Sequence, residues 1–207
     1  MADTLRNEIF RSASIGEETG LYLVSPDDAS PEGSVIPQMP MSYIDSLFRD
    51  ETGEFSGISE GDVVWVDKGR GLVRTVLSSV ANANTLLLTE RCDNYCQFCS
   101  QPPNEKPDSH LYERAFLSLE AFRSNEIVGL SGGEPTINKA AFLALLKNLN
   151  DFNIPTPLHI LTNGRSFSDA LFTSEVFDLI KERDVLWGVP LYGHHSSLHD
   201  ELVQADG

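Results

Sequence analysis

The chemistry most open to this chain is carried by Cys92, Cys96 and Cys99, the only cysteines in its 207 residues. They stand in Cys92-Asp93-Asn94-Tyr95-Cys96-Gln97-Phe98-Cys99, with the spacing C-x3-C-x2-C. Thiolates bind soft metals and iron–sulfur clusters, and three so close in sequence can converge on one centre from a single loop. The start of the chain, Met1 to Phe10, carries Asp3, Arg6 and Glu8 where an export signal needs an apolar run. An odd, clustered set of cysteines in such a chain is not a disulfide framework. A four-iron cluster held by three thiolates keeps one iron open to a small molecule. The alternative is zinc: the three thiolates with His110 would complete a Cys3His set and close the site.

The elements that must position this loop follow from hydropathy. Leu86 to Leu88, Ile127 to Leu130, Leu158 to Leu161 and Val185 to Val189 are short, nearly continuous apolar runs, as expected of strands buried on both faces. Between them lie helical periods: Leu111, Ala115, Leu119 and Phe122; Phe142, Leu145, Leu149 and Phe152; Phe172, Val176, Leu179 and Ile180. Asn138 and Ser168 stand where N-caps belong. Strand, loop and helix alternate three times before a fourth strand, which implies an α/β fold with a parallel sheet and chemistry at the carboxyl ends of the strands. Four strands cannot close a barrel, which takes about 250 residues, so residues 84–207 read as a partial (β/α) barrel, truncated after about four strands. Residues 1–83 read as a small, strand-rich N-terminal region. Val63 to Val66 and Leu72 to Leu77 there flank a glycine-containing hairpin loop, and residues 25 to 61 show no sustained helical period.

Composition narrows the function classes. With 31 acidic and 15 basic side chains the net charge is −16, which opposes binding to a polyanion such as nucleic acid. No apolar run reaches the roughly 18 residues of a membrane span, so a cytoplasmic protein is expected. A hydrophobic fraction of 41% supports a packed core.

Taken together, Thr89 to Cys99 and Ser131-Gly132-Gly133-Glu134-Pro135 one βα unit later resemble the radical S-adenosylmethionine (SAM) superfamily over roughly residues 84–207. More narrowly, Leu86 to Arg91, Ser100 to Pro103, Pro190 to Tyr192 and His199-Asp200 are similar to the C-type radical SAM maturases of the His-Xaa-Ser peptide modification system, whose members carry an N-terminal region resembling residues 60–83. The resemblance implies that Cys92, Cys96 and Cys99 ligate a [4Fe-4S] cluster and that SAM chelates its fourth iron. Phe98 would then lie beside the adenine; the bland reading of that side chain is core packing. Gly132 and Gly133 would let the backbone approach SAM, and Glu134 would accept a charge-assisted bond from its ammonium. Asn163 would reach the ribose or methionine moiety, although Asn163-Gly164 is first of all a turn dipeptide.

The implied reaction is reductive cleavage of SAM to a 5′-deoxyadenosyl radical that takes hydrogen from a substrate. That substrate would be a ribosomal His-Xaa-Ser repeat peptide. A flavodoxin or ferredoxin would serve as reductant, and a second radical SAM maturase would be a partner. No general acid or base is identifiable. His194, His195 and His199 form a local cluster that fits a helix start and its polar face better than a second metal site. The rival functions are a zinc-stabilised peptide-binding module and an inactive, truncated remnant.

Overall fold

The computed structural model describes residues 19–25, 37–40, 57–67, 69–70 and 72–206. The irregular stretch expected between residues 25 and 61 therefore falls largely outside the described residues. The chain divides into two compact units, with the boundary between Asn82 and Ala83 and with Leu117–Phe122 grouped with the first.

The first unit is a sheet of β1 (Gly20–Ser25), β2 (Gln38–Pro40), β3 (Val63–Asp67) and β4 (Leu72–Leu77) in the order β2-β1-β3-β4. β1 pairs parallel to β2 and antiparallel to β3, and β3–β4 is the expected hairpin, with a register shift between Val63 and Val64. Tyr22, Val24, Met39, Val64 and Val66 form its core. Asp62 is buried beneath it, where its carboxylate accepts from the Ser59 amide and from both the amide and hydroxyl of Ser79. A buried carboxylate is tolerable only when its lone pairs are used in this way.

The second unit has the alternation that the apolar runs dictate. β5 (Asn84–Thr89), β6 (Val128–Gly132), β7 (Leu158–Leu161) and β8 (Val185–Gly188) form a parallel sheet in sequence order, each strand beside the next. Helices α1 (His110–Phe122), α2 (Lys139–Asp151) and α3 (Ala170–Ile180) make the crossovers, a 3-10 turn (Arg165–Ser168) precedes α3, and α4 (Ser196–Val203) follows β8. The strands are not buried on both faces. Leu86, Leu88, Val128, Leu130, Leu158 and Ile160 are buried, whereas the alternate positions Leu87, Leu161 and Leu186 are 39%, 39% and 55% exposed. Period-2 burial means that, among the described residues, only one face of the sheet is covered.

The helices bury the stripes that the periodicity indicates, with small rotations. α2 buries Phe142, Leu145, Leu146 and Leu149, and α3 buries Phe172, Val176 and Ile180. α1 buries Tyr112, Ala115, Phe116 and Leu119, so its face is displaced from Leu111 and Phe122. Asn138 caps α2 as expected, its side chain accepting from the Ala141 amide. The cap of α3 is Asp169 in place of Ser168: its carboxylate accepts from the Leu171 and Phe172 amides, while Ser168 ends the 3-10 turn. A carboxylate suits an N-cap better than a hydroxyl because it also answers the positive end of the helix dipole. Among the described residues no helix is long and apolar enough to cross a membrane.

Candidate functional site

All four strands of the parallel sheet hand over, at their carboxyl ends, to the segments singled out by sequence. The cysteine loop follows β5, Gly133-Glu134-Pro135 follows β6, Thr162-Asn163-Gly164 follows β7, and Val189 to Tyr192 follows β8. They enclose a cavity of about 500 Å³. Cys92, Cys96 and Cys99 line it together with Ser131, Gly132 and Gly133 from the end of β6, Asn163 from the turn after β7, and His199 and Val203 from α4. Leu161, Val189 and Pro190 supply an apolar part of the wall.

The cysteine loop is anchored at every turn. At its root, the buried Asp108 carboxylate accepts from the Thr89 hydroxyl at 2.7 Å and the Glu90 amide at 2.6 Å. Glu90 in turn accepts from the side-chain amides of Gln101 and Asn104, tying the outgoing strand to the returning chain. In the middle, the amides of Tyr95 and Gln97 donate to the carbonyls of Val203 and Leu202, both at 2.9 Å. These are carbonyls of the last turn of α4, which have no acceptor role inside the helix. Gly132 and Gly133 matter at the loop's other wall. A Cβ on Gly132, whose φ is 151°, would overlap the Thr89 carbonyl, and one on Gly133 would overlap the Arg91 carbonyl. Both glycines are thus required for the cysteine loop to lie against the end of β6, a requirement that comes from the chain itself.

The thiols are free and unequal: Cys92 and Cys96 are partly buried and Cys99 is exposed. Burial pushes the Cys92 thiol up to about 11, opposed by the Asn94 amide that donates to its sulfur and reinforced by the negative charges of Asp93 and Glu134. The Cys99 thiol donates to the Gln101 carbonyl at 2.8 Å. Among the described residues no three His, Cys, Asp or Glu side chains are gathered closely enough to hold a metal ion. The donor set nevertheless suits an iron–sulfur cluster: three cysteines outside any disulfide line one cavity, two of them partly withdrawn from water. His110, the fourth ligand of the zinc alternative, is exposed at the start of α1 and does not line the cavity.

The remaining expected site residues divide. Asn163 lines the cavity, but its side chain is engaged by the protein: Oδ1 accepts from the Arg165 amide and Nδ2 donates to Asp93 at 2.6 Å. Its turn character holds too, since Gly164 follows at φ 83°. Glu134 does not line the cavity. It is 1% exposed, and its carboxylate accepts from the Thr136 amide and hydroxyl, the Thr162 hydroxyl and the Asn163 amide, at 2.6 to 2.9 Å. Phe98 is 68% exposed, which excludes core packing; it does not itself line the cavity, but its ring lies 5.9 Å from that of Tyr192, which does. Of the histidines, His199 reaches the cavity, stacked on Tyr192 and accepting from its amide at Nδ1, while His194 and His195 pair with each other. Asp93, Asp108, Glu90 and Arg165 had no local signal, because each acts on a partner far along the chain.

The fold and the cavity together define an α/β protein whose parallel sheet carries a three-cysteine loop at its carboxyl edge. A family model described as the radical SAM superfamily matches residues 86–202, and the chain belongs to that superfamily. Its members typically bind a [4Fe-4S] cluster and SAM. No curated protein and no solved structure matches the chain.

Proposed function

We propose that this chain holds a [4Fe-4S] cluster through Cys92, Cys96 and Cys99 and uses it to cleave SAM reductively. The observation that supports the reading is the shared cavity: all three cysteines line it beside Gly132 and Gly133, at the edge where parallel sheets keep their chemistry. Bound there, the cluster and SAM would supply a 5′-deoxyadenosyl radical that abstracts hydrogen from substrate. The chain's own contribution is placement and exclusion of water. Leu161, Val189, Pro190 and Val203 give the cavity an apolar wall, and the backbone at Gly132 and Gly133 leaves no side chain between the end of β6 and the cysteine loop. His199 is the one imidazole on the wall.

Anaerobic reconstitution tests this. About four irons and four sulfides per chain, a broad absorbance near roughly 400 nm, and 5′-deoxyadenosine on reduction with SAM are the expected results. Replacement of any one of the three cysteines by alanine abolishes all of them. A colourless protein carrying one zinc ion refutes the reading.

The narrower reading, also ours, is a maturase for a ribosomal His-Xaa-Ser repeat peptide, working with a second radical SAM maturase and a flavodoxin or ferredoxin. Its support is the similarity of Leu86 to Arg91, Ser100 to Pro103, Pro190 to Tyr192 and His199-Asp200 to that group, and an acidic chain that does not oppose a histidine-bearing partner. Co-expression with such a peptide should change its mass. SAM cleavage that proceeds while the peptide stays unmodified refutes the narrower reading alone.

A further inference from the structure

We propose that Arg165 and Asn163, in the turn after β7, are positioning residues that grip the cysteine loop through Asp93 and offset the negative charge Asp93 places between two cysteines. The inference rests on the cluster reading above and deepens it.

Asp93 lies between Cys92 and Cys96 in sequence. Its Oδ1 accepts from Asn163 Nδ2 at 2.6 Å, and its Oδ2 lies 3.3 Å from Arg165 Nε. Arg165 Nη1 also reaches Oδ1 of the buried Asn94 at 3.5 Å, the limit of hydrogen bonding. The grip is itself held: the Asn163 amide donates to Glu134 Oε2 at 2.6 Å, and Asn163 Oδ1 accepts from the Arg165 amide at 3.0 Å. Gly164, at φ 83°, makes the tight turn that brings the residues on either side of it onto one carboxylate.

Asp93 and Arg165 are 38% and 31% exposed, and ion pairs so open to water contribute little to stability. Their position suggests a different use. Groups just outside a set of metal ligands fix ligand orientation, and their loss typically costs about 10- to 100-fold in affinity or activity. Charge and hydrogen bonding near a cluster also set its reduction potential. A centre with three thiolates is already anionic; an unmatched carboxylate beside it would make reduction harder, and the guanidinium cancels that contribution.

The test uses the full chain in two arms. In iron-free protein, hydrogen exchange is followed in the segment 92–99. Arg165→Met should speed exchange there by about two- to fivefold while β6 and β7 keep their protection, and Arg165→Lys should restore most of it. In reconstituted protein, redox titration should move the cluster potential down in Arg165→Met, up in Asp93→Asn, and back near the parent value in the double variant. Unchanged exchange at 92–99, loss of protection spread equally through β6 and β7, or potentials that move in the same direction in both single variants overturns the proposal. Failure of the cluster reading shows separately, as absence of iron and sulfide in the parent protein, and the exchange arm then decides the positioning role by itself.

Discussion

Replacement of Glu134 separates a structural staple from a ligand group. Its carboxylate collects four donors, two of them backbone amides, those of Thr136 and Asn163. The Thr136 and Thr162 hydroxyls can rotate toward other acceptors, but the amides are fixed by the turns that carry them. A buried donor left without an acceptor costs about 1–3 kcal/mol, so Glu134→Ala should lose about 4 kcal/mol from the two amides together. Glu134→Gln keeps one oxygen for the three donors at Oε1 and turns an NH2 toward the Asn163 amide, so it should lose about 2 kcal/mol. For a unit of this size about 4 kcal/mol corresponds to a fall in Tm on the order of 10 °C. The assay is denaturant unfolding of the iron-free protein, followed by fluorescence of Trp187 in a Trp65→Phe background. These are the only two tryptophans, and they lie in different units, so the substitution silences the first unit. A loss below about 1 kcal/mol in Glu134→Ala, together with lost SAM affinity in reconstituted protein, refutes the staple and returns Glu134 to the ligand.

Two further outcomes follow from local geometry. Gly133→Ala drives a methyl into the Arg91 carbonyl and should abolish cluster incorporation, whereas Gly164→Ala, with only Val189 at 3.6 Å, should cost just the left-handed backbone penalty of about 1–2 kcal/mol. Iron content and thermal melts distinguish them. Cys92, raised from 9.0 to about 11, should be alkylated in iron-free protein about tenfold more slowly than an ordinary thiol at pH 8: its thiolate is about a hundredfold scarcer, and the greater nucleophilicity of a more basic thiolate recovers about tenfold. The folded state holds that proton more tightly than the unfolded chain. The contribution of this group to stability is therefore full below pH 9 and is lost as pH rises toward 11, which unfolding measured across that window checks.

Much of the second unit was legible because burial writes itself into a sequence at short range. The apolar runs located all four parallel strands, and the 3.6-residue stripes located α1 to α3. Less visible was which strands have a second covered face. Leu87, Leu161 and Leu186 look like core residues in a hydrophobic run, and only the absence of a layer over them among the described residues makes them surface. The meeting of the cysteine loop, Gly132-Gly133 and Asn163 was equally legible, since alternating strands and helices put those loops at one edge of the sheet. What spacing does not encode is the direction in which a turn residue points. Glu134 and Asn163 were expected to face a ligand, and most of their polar atoms instead meet other turns of the same edge.

The anchors of the cysteine loop leave no mark in local sequence for the same reason. Asp93 meets Asn163, 70 residues on, and Arg165 meets Asn94 at a separation of 71. Tyr95 and Gln97 donate to the end of α4, the most distant element from them in the second unit by sequence. That last pairing solves two problems at once. A loop that must present its cysteines inward cannot also form a ladder of backbone bonds with itself, and a helix that ends at Gln204 in the left-handed conformation leaves carbonyls without partners. Each supplies what the other lacks. The cysteine loop is consequently built by contacts with the ends of β6, β7 and α4 more than by its own sequence, so substitutions at those distant partners should disturb cluster assembly before they disturb the sheet beneath.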